Sequence, residues 1–229
     1  VGMLRADYNR FINEAGPYLS DKLFLQTRQT DPKIPYLFSK IRMNNTEYIT
    51  EYNDGRDFHK GICLDLFPFD FIPNDYKAQM EFKNEVLAKA AKHNRISNMC
   101  IPEPKDGKAS NLEELRFKAE RKLRRAYFRS KSLTKSQAAY IEVASRYNDK
   151  AKELGLDTVA SFVPSYTYIK LEDLLPYREV EFEGVPAKVP NKPEVFLEMQ
   201  YGNYMELPMK HQQVGHPLIR WSVDTRKND

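Results

Sequence analysis

The stretch "GICLDLFPFDFIP", residues 61–73, decides the fold class. Ile62, Cys63, Leu64, Leu66 and Phe67 predict a strand covered on both faces, of the kind found inside a sheet flanked by helices. Alternation places Cys63, Asp65 and Phe67 on one face and Ile62, Leu64 and Leu66 on the other. A carboxylate in such a run is costly unless something compensates it. Two readings stand open for Asp65: an ordinary mid-strand acid satisfied by an Arg or by backbone donors, or a metal-binding carboxylate. Pro68 is expected to end the strand, with Asp70 beyond it as a turn or cap residue.

Upstream, "MLRADYNRFINEA" (3–15) carries Leu4, Tyr8, Phe11 and Ile12 at helical spacing, and Gly16-Pro17 stops it. "KLFLQT" (22–27) predicts a short strand, and "PYLFSKIRMNNTEYITEY" (35–52) two strands around a turn at Asn44-Asn45. "NDGRDFHKG" (53–61) is a polar loop. Downstream, the Ala-, Lys-, Glu- and Arg-rich texture predicts helices near 75–97, 111–130 and 134–154, with "CIPEPKDGKASN" (100–111) as the first connection. Thr134 and Gln137 resemble a capping box, and Gly155 closes the last helix. Strands follow at 158–163, 178–184 and 187–190, the last two as a hairpin around Gly184-Val185-Pro186. A helix is predicted over 191–203 with Asn191 as N-cap and Gly202 as stop. The tail from Pro208 reads as irregular.

Composition narrows the function classes. The 229 residues are 41% hydrophobic and 30% charged, enough for one full core or a core plus a subdomain. Mean hydropathy is −0.67, and no apolar run approaches a membrane span. The net charge of +4 permits an anionic partner without demanding one. Two cysteines, Cys63 and Cys100, make neither a disulfide framework nor a metal cluster, and Cys63 reads as a small buried apolar residue. P-loop, GxGxxG, CxxC, HExxH and GxSxG patterns are absent. The four histidines, His59, His93, His211 and His216, do not make a zinc site.

The cations are more informative. Lys40 and Arg42 share a face of the 36–43 strand by alternation, where two cations either grip phosphates or decorate an exposed sheet face. His59 precedes the Asp65 strand in the loop. "RFKAERKLRRAYFRSKSLTK" (116–135) is strongly basic, with Glu120 its only acid. Leu112, Leu115, Ala119, Leu123 and Ala126 mark its apolar stripe. The segment reads either as a solvated helix face or as a surface for an anionic membrane or glycan. In either case Leu115, Ala119 and Leu123 are expected to pack inward, with Arg121, Lys122, Arg124 and Arg125 facing out. No nucleic-acid motif accompanies it.

Several separated segments together resemble the LicD family. "DFHKGICLDLFPFDFIP" is similar to the stretch in which a family strand carries an Asp before Phe-Pro. "FSKIRMNNTEY" resembles the family's Lys-x-Arg strand. "VEFEGVPAKVP" followed by "FLEMQYGNYMELP" resembles its C-terminal hairpin and helix. Asn203 replaces a usual Asp there, and Met209 a usual Pro. The resemblance runs from Val1 to about His216 and is weakest in the central helices. "VGMLRADYNRF" looks like the sequence directly after the family's Asp-x-Asp strand, so the chain reads as beginning inside the domain, without that motif and incomplete as an enzyme. A start at Val1 also leaves room for a targeting signal upstream.

The resemblance implies an α/β (α+β) class fold: a nucleotidyltransferase-like mixed sheet core, N-terminally truncated, with a helical insertion, similar also to fukutin-related proteins. The expected division is 1–75 for the partial core, 76–155 for the insertion and 156–229 for a C-terminal hairpin-helix segment. The implied activity is transfer of phosphocholine, or a similar phospho-group, from a nucleotide diphosphate donor such as CDP-choline to a hydroxyl of a bacterial surface glycan: lipopolysaccharide, teichoic acid or capsule. Asp65 would be the catalytic and metal-binding carboxylate for Mg²⁺ or Mn²⁺. Lys40, Arg42 and His59 would contact the donor phosphates. Peripheral contact with an anionic membrane through 112–130 would place the protein in the cytoplasm at the inner membrane face. The alternatives are transfer of a polyol or sugar phosphate, and a non-catalytic binding module for an anionic glycan or membrane.

Overall fold

The computed structural model describes residues 1–99, 112–129, 131–213, 215 and 217–224. The 100–111 connection, with Cys100, lies outside the described residues. In chain order the elements are β1 (Gly2–Leu4), α1 (Arg5–Glu14), β2 (Leu23–Gln26), β3 (Ser39–Met43), β4 (Glu47–Thr50), β5 (Cys63–Ile72), α2 (Tyr76–Met99), α3 (Leu112–Arg129), α4 (Leu133–Ala144), β6 (Thr158–Ser161), β7 (Thr167–Lys170), the one-turn α5 (Leu171–Leu174), β8 (Arg178–Phe182), β9 (Val185–Val189), α6 (Pro193–Tyr201) and β10 (Leu218–Ser222). The fold is mixed α/β, as expected at that level.

The principal sheet follows the hydrogen-bonded path β2-β3-β5-β6-β7, all antiparallel, with β1 added parallel to β5. β5 is the strand on which the sheet is built, and it corrects the expected stop at Pro68 by running ten residues, to Ile72. Pairing explains how proline is tolerated. Phe67 donates its N–H to Val1 O (2.8 Å), so the N–H that Pro68 lacks would face the opposite side. Phe71 N–H is taken by Asn148 Oδ1, which leaves Asp70 and Ile72 to bond β6 on that opposite side. β3 ends there at Leu66 and β6 begins at Asp70, so Pro68 falls in the gap between two partners. The strand is also less covered than predicted: Leu64 is 50% exposed and Cys63 only half-buried.

The even-numbered face of β5 is closed by α1. Tyr8, Leu25 and Leu66 form a small core with Met3, Phe11, Ile12 and Ile41 against it. The first turn of α1 brings Arg5 to Asp70, which is a buried strand residue rather than the expected cap. The larger core joins Leu37, Phe38 and Ile72 to Phe82, Val86 and Ala90 of α2, to Tyr140, Val143 and Ala144 of α4, and to Phe162. Two further corrections concern the helices. α4 stops at Ala144, ten residues short of Gly155, because a run of turns follows it. Its N-cap is Ser132, whose hydroxyl accepts from Lys135 N (3.2 Å), not Thr134. α3 lies against α2, but none of its described side chains enters the core. Leu115, Ala119 and Leu123, expected to pack inward, are exposed, as is Leu112, since α2 and α4 already bury each other's apolar faces. Lys122 is exposed as expected, while the side chains of Arg121, Arg124 and Arg125 lie outside the described residues.

His93 of α2 ties these layers together. It is fully buried, with Nε2 3.0 Å from Pro35 O and Nδ1 2.8 Å from Ser136 Oγ. The carbonyl fixes the proton on Nε2, which leaves Nδ1 as acceptor for the Ser136 hydroxyl, whose single proton is shared with Leu133 O at 2.9 Å. Burial, opposed by the Pro35 carbonyl and assisted by the Arg28 charge, pulls its pKa from 6.5 to about 4. The neutral ring therefore stabilises the fold above pH 6.5, and that stability is lost as pH falls toward 4. Urea denaturation should show wild type losing about 2–3 kcal/mol more than His93→Gln between pH 7.5 and 4.5. Equal pH dependence of the two would refute a buried neutral His93.

Toward the C-terminus, β8 and β9 form the expected hairpin, but its turn is Glu183-Gly184, both at positive φ. Pro186 lies within β9. The α6 helix starts at Pro193 with Lys192 as N-cap, one residue after the predicted Asn191, and Gly202 at φ +67° ends it. Two strands escaped the sequence reading. β7 pairs with β6, and β10, in the tail read as irregular, pairs with β4. Because β4 turns to β10, it does not pair with β3 across Asn44-Asn45.

Candidate functional site

β3 and β5 align Lys40 opposite Asp65 and Arg42 opposite Cys63. Register thus brings together two residues that the sequence placed in separate roles. Lys40 Nζ is 2.5 Å from Asp65 Oδ1. The lysine is 9% exposed and the aspartate 34%. The Cys63 thiol lies between them, 3.7 Å from both atoms. The ammonium also sits 4.4 Å from the Tyr36 ring centroid and 5.0 Å from that of Phe38, an arrangement that stabilises a cation. Asp65 is therefore compensated by a lysine, not by the arginine or backbone donors considered for it. Its Oδ2 receives no hydrogen bond from a described residue.

Arg42 shares the face of Lys40 but is turned into the protein. It is 1% exposed, and its Nε donates to Gln26 Oε1 (2.8 Å) and its Nη1 to Gly61 O (2.7 Å). Nη2 is buried without a hydrogen-bond partner of regular geometry. Burial pushes the Tyr36 hydroxyl up to about 12, with the Arg42 charge opposing the rise.

His59 belongs to the same inner network. Gly61 N–H donates to Nδ1 (3.1 Å), so the proton is on Nε2, which meets Asn44 Oδ1 at 3.0 Å. The ring stacks on Phe24 at 5.1 Å. Burial and the Arg42 charge lower its pKa, opposed by Asp31, so the ring is neutral near pH 7. Gln26 and Asp31 complete this network: Gln26 donates to Asp31 Oδ2 and His59 O, and His59 N–H donates to the same Asp31 oxygen. Gly61 must be glycine, because a Cβ there would collide with Met43 O and His59 Cε1. The structure thus brings Lys40 to Asp65, and groups Arg42 with His59 in an adjoining framework. Gln26, Asp31 and Tyr36 carried no sequence motif that could have singled them out.

A cavity of about 730 Å³ opens next to this strand pair, beside β1. Phe67 and Phe69, which share the Asp65 face of β5 by alternation, form part of its wall. Tyr177, Phe196 and Tyr201 complete an aromatic lining, and Asp7 of α1 adds a carboxylate. The Asp7 charge also contributes, after burial, to raising the pKa of Tyr177. None of these six residues was singled out from the sequence for ligand contact. They lie on four separate segments, so only folding assembles them.

Among the described residues no three His, Cys, Asp or Glu side chains come together, and the one acid expected to bind metal is engaged by Lys40. Mg²⁺ takes one or two protein carboxylates, with substrate phosphates and water filling the rest of its shell, and Asp65 Oδ2 is the oxygen that would hold it. β1 does run parallel to β5, with the Val1 amino nitrogen 2.7 Å from Asp65 O and Gly2 in register with Phe67. A strand residue immediately before Val1 would stand in register with Asp65 and on its face.

No protein-family model, curated protein or solved structure matches the chain.

Proposed function

We propose that the chain carries a LicD-type phosphotransfer site, moving phosphocholine from CDP-choline to a hydroxyl of a bacterial surface glycan. The observation that carries this reading is the aromatic cavity with its single acid. Phe67, Phe69, Tyr177, Phe196 and Tyr201 line it, and Asp7 offers a negative charge beside one cation, Lys188. Trimethylammonium is recognised by that combination of π-faces and one carboxylate.

In the reaction, the acceptor hydroxyl gives its proton to Asp65 Oδ2, and the oxygen attacks the phosphorus bearing choline. A new P–O bond to the glycan forms, the bond to the bridging oxygen breaks, and CMP leaves with that oxygen. Lys40 holds the Asp65 carboxylate in place through Oδ1. No step is assigned to a metal.

Calorimetry tests the reading. CDP-choline is expected to bind, and CDP-ethanolamine and CDP to bind on the order of tenfold more weakly, because they lack the quaternary cation. Tyr177→Ala should erase that discrimination. Equal affinity for all three ligands would overturn the phosphocholine assignment. Discrimination without turnover would favour the non-catalytic module.

A further inference from the structure

We propose that α3 docks flat on an anionic lipid bilayer, with its apolar stripe in the boundary between headgroups and acyl chains. Leu112, Leu115, Ala119, Leu123, Ala126 and Tyr127 recur at spacings of three and four and so share one side of the helix. All six are exposed, Leu112 at 64%, Leu115 at 56%, Leu123 at 71% and Tyr127 at 59%. A contiguous apolar face left open in this way marks a surface that another body covers.

Charge decides what that body is. Residues 112–135 hold nine Lys and Arg against three Glu, a net of +6, whereas the whole chain carries +4. The rest of the chain is therefore net −2, and the positive charge is gathered on the segment that carries the open stripe. Arg116 and Lys122 are exposed on α3, and Lys131 Nζ lies 4.5 Å from the Tyr127 ring centroid at its end. A second copy of the helix would set +6 against +6, which opposes self-association. No helix among the described residues is long and apolar enough to cross a membrane. An apolar stripe on a strongly basic helix of low overall hydrophobicity is the pattern of one lying in the membrane interface. This inference does not depend on the donor or on turnover.

The test is cosedimentation of the full chain with phosphatidylcholine vesicles, with and without phosphatidylserine, at low and high salt. Two variants separate the contributions: Leu115→Asn/Leu123→Asn removes apolar contact, and Arg116→Gln/Lys122→Gln removes charge. These positions are exposed, and thermal melts check that both variants fold. Wild type is expected to pellet with anionic but not neutral vesicles, more weakly at high salt, and each variant to bind about tenfold less. Heparin and inorganic phosphate provide the control arms. Binding to heparin with an unchanged response in the Leu variant would show a simple polyanion site and overturn the proposal. So would dimerisation through α3 in sedimentation velocity, or failure of wild type to pellet with anionic vesicles.

Discussion

Asp70→Ala is expected to lower the free energy of unfolding by about 3–5 kcal/mol, a large share of what a domain of this size possesses. Arg5 Nε and Nη2 donate to the two carboxylate oxygens of Asp70 at 2.8 and 2.6 Å, and Asn148 Nδ2 adds a third bond of 2.8 Å. Arg5 is 7% exposed and Asp70 1%. Burial alone would lower the Arg5 pKa, but the hydrogen bond and charge of Asp70 outweigh it, so the net direction is upward. Removing the carboxylate strands a guanidinium where water cannot reach it. It also unties the start of α1 from β5 and from the segment after α4. Equilibrium urea unfolding of wild type, Asp70→Ala and the double variant Arg5→Met/Asp70→Leu provides the check. The double variant should recover most of the loss, because a neutral pair leaves no isolated charge. A loss below about 1 kcal/mol for Asp70→Ala would show that the pair does not hold the layers together.

Asp65→Asn is expected to cut phosphocholine transfer by about a hundredfold or more, measured with CDP-choline as donor. The amide keeps the shape of the carboxylate but cannot accept the hydroxyl proton, and it leaves the Lys40 ammonium without its counter-charge. CDP-choline affinity should change far less than turnover, since the residues proposed to hold choline lie elsewhere. That split between binding and rate separates loss of a base from loss of fold. Transfer within a few-fold of wild type would remove Asp65 from the chemistry.

The sequence reading reached the sheet through the composition of β5, and the register of that strand with β3 explains what it missed. Alternation correctly puts Lys40 and Arg42 on one face, and the register then sets them opposite Asp65 and Cys63. It cannot say that one cation will meet a carboxylate while the other is drawn under Gln26 and Gly61, because burial depends on segments far away in the chain. Pro68 misled for a similar reason. A proline ends a strand only where its missing N–H would have had a partner, and local sequence does not reveal that β3 stops and β6 starts on either side of it. The α3 pattern identified which side chains share a helix side, yet whether that side is covered depends on α2 and α4 having already paired. β10 was invisible because its partner, β4, lies at the other end of the chain. The cavity residues are scattered singly among ordinary core and turn residues, and no spacing rule connects them.

The divided pairing of β5 also has a consequence for synthesis. When residues 63–69 emerge from the ribosome, both of their partners, β1 and β3, have already been made. Residues 70–72 must wait for β6, which begins at Thr158, after the three long helices. At about 5–20 residues per second that interval is on the order of ten seconds. Through it, Ile72 and an open strand edge await the segment that will cover them. The nascent chain thus passes through a long-lived half-sheet, and Pro68, which cannot donate a ladder bond, stands at the inner end of the waiting edge, where it discourages pairing with a neighbouring chain.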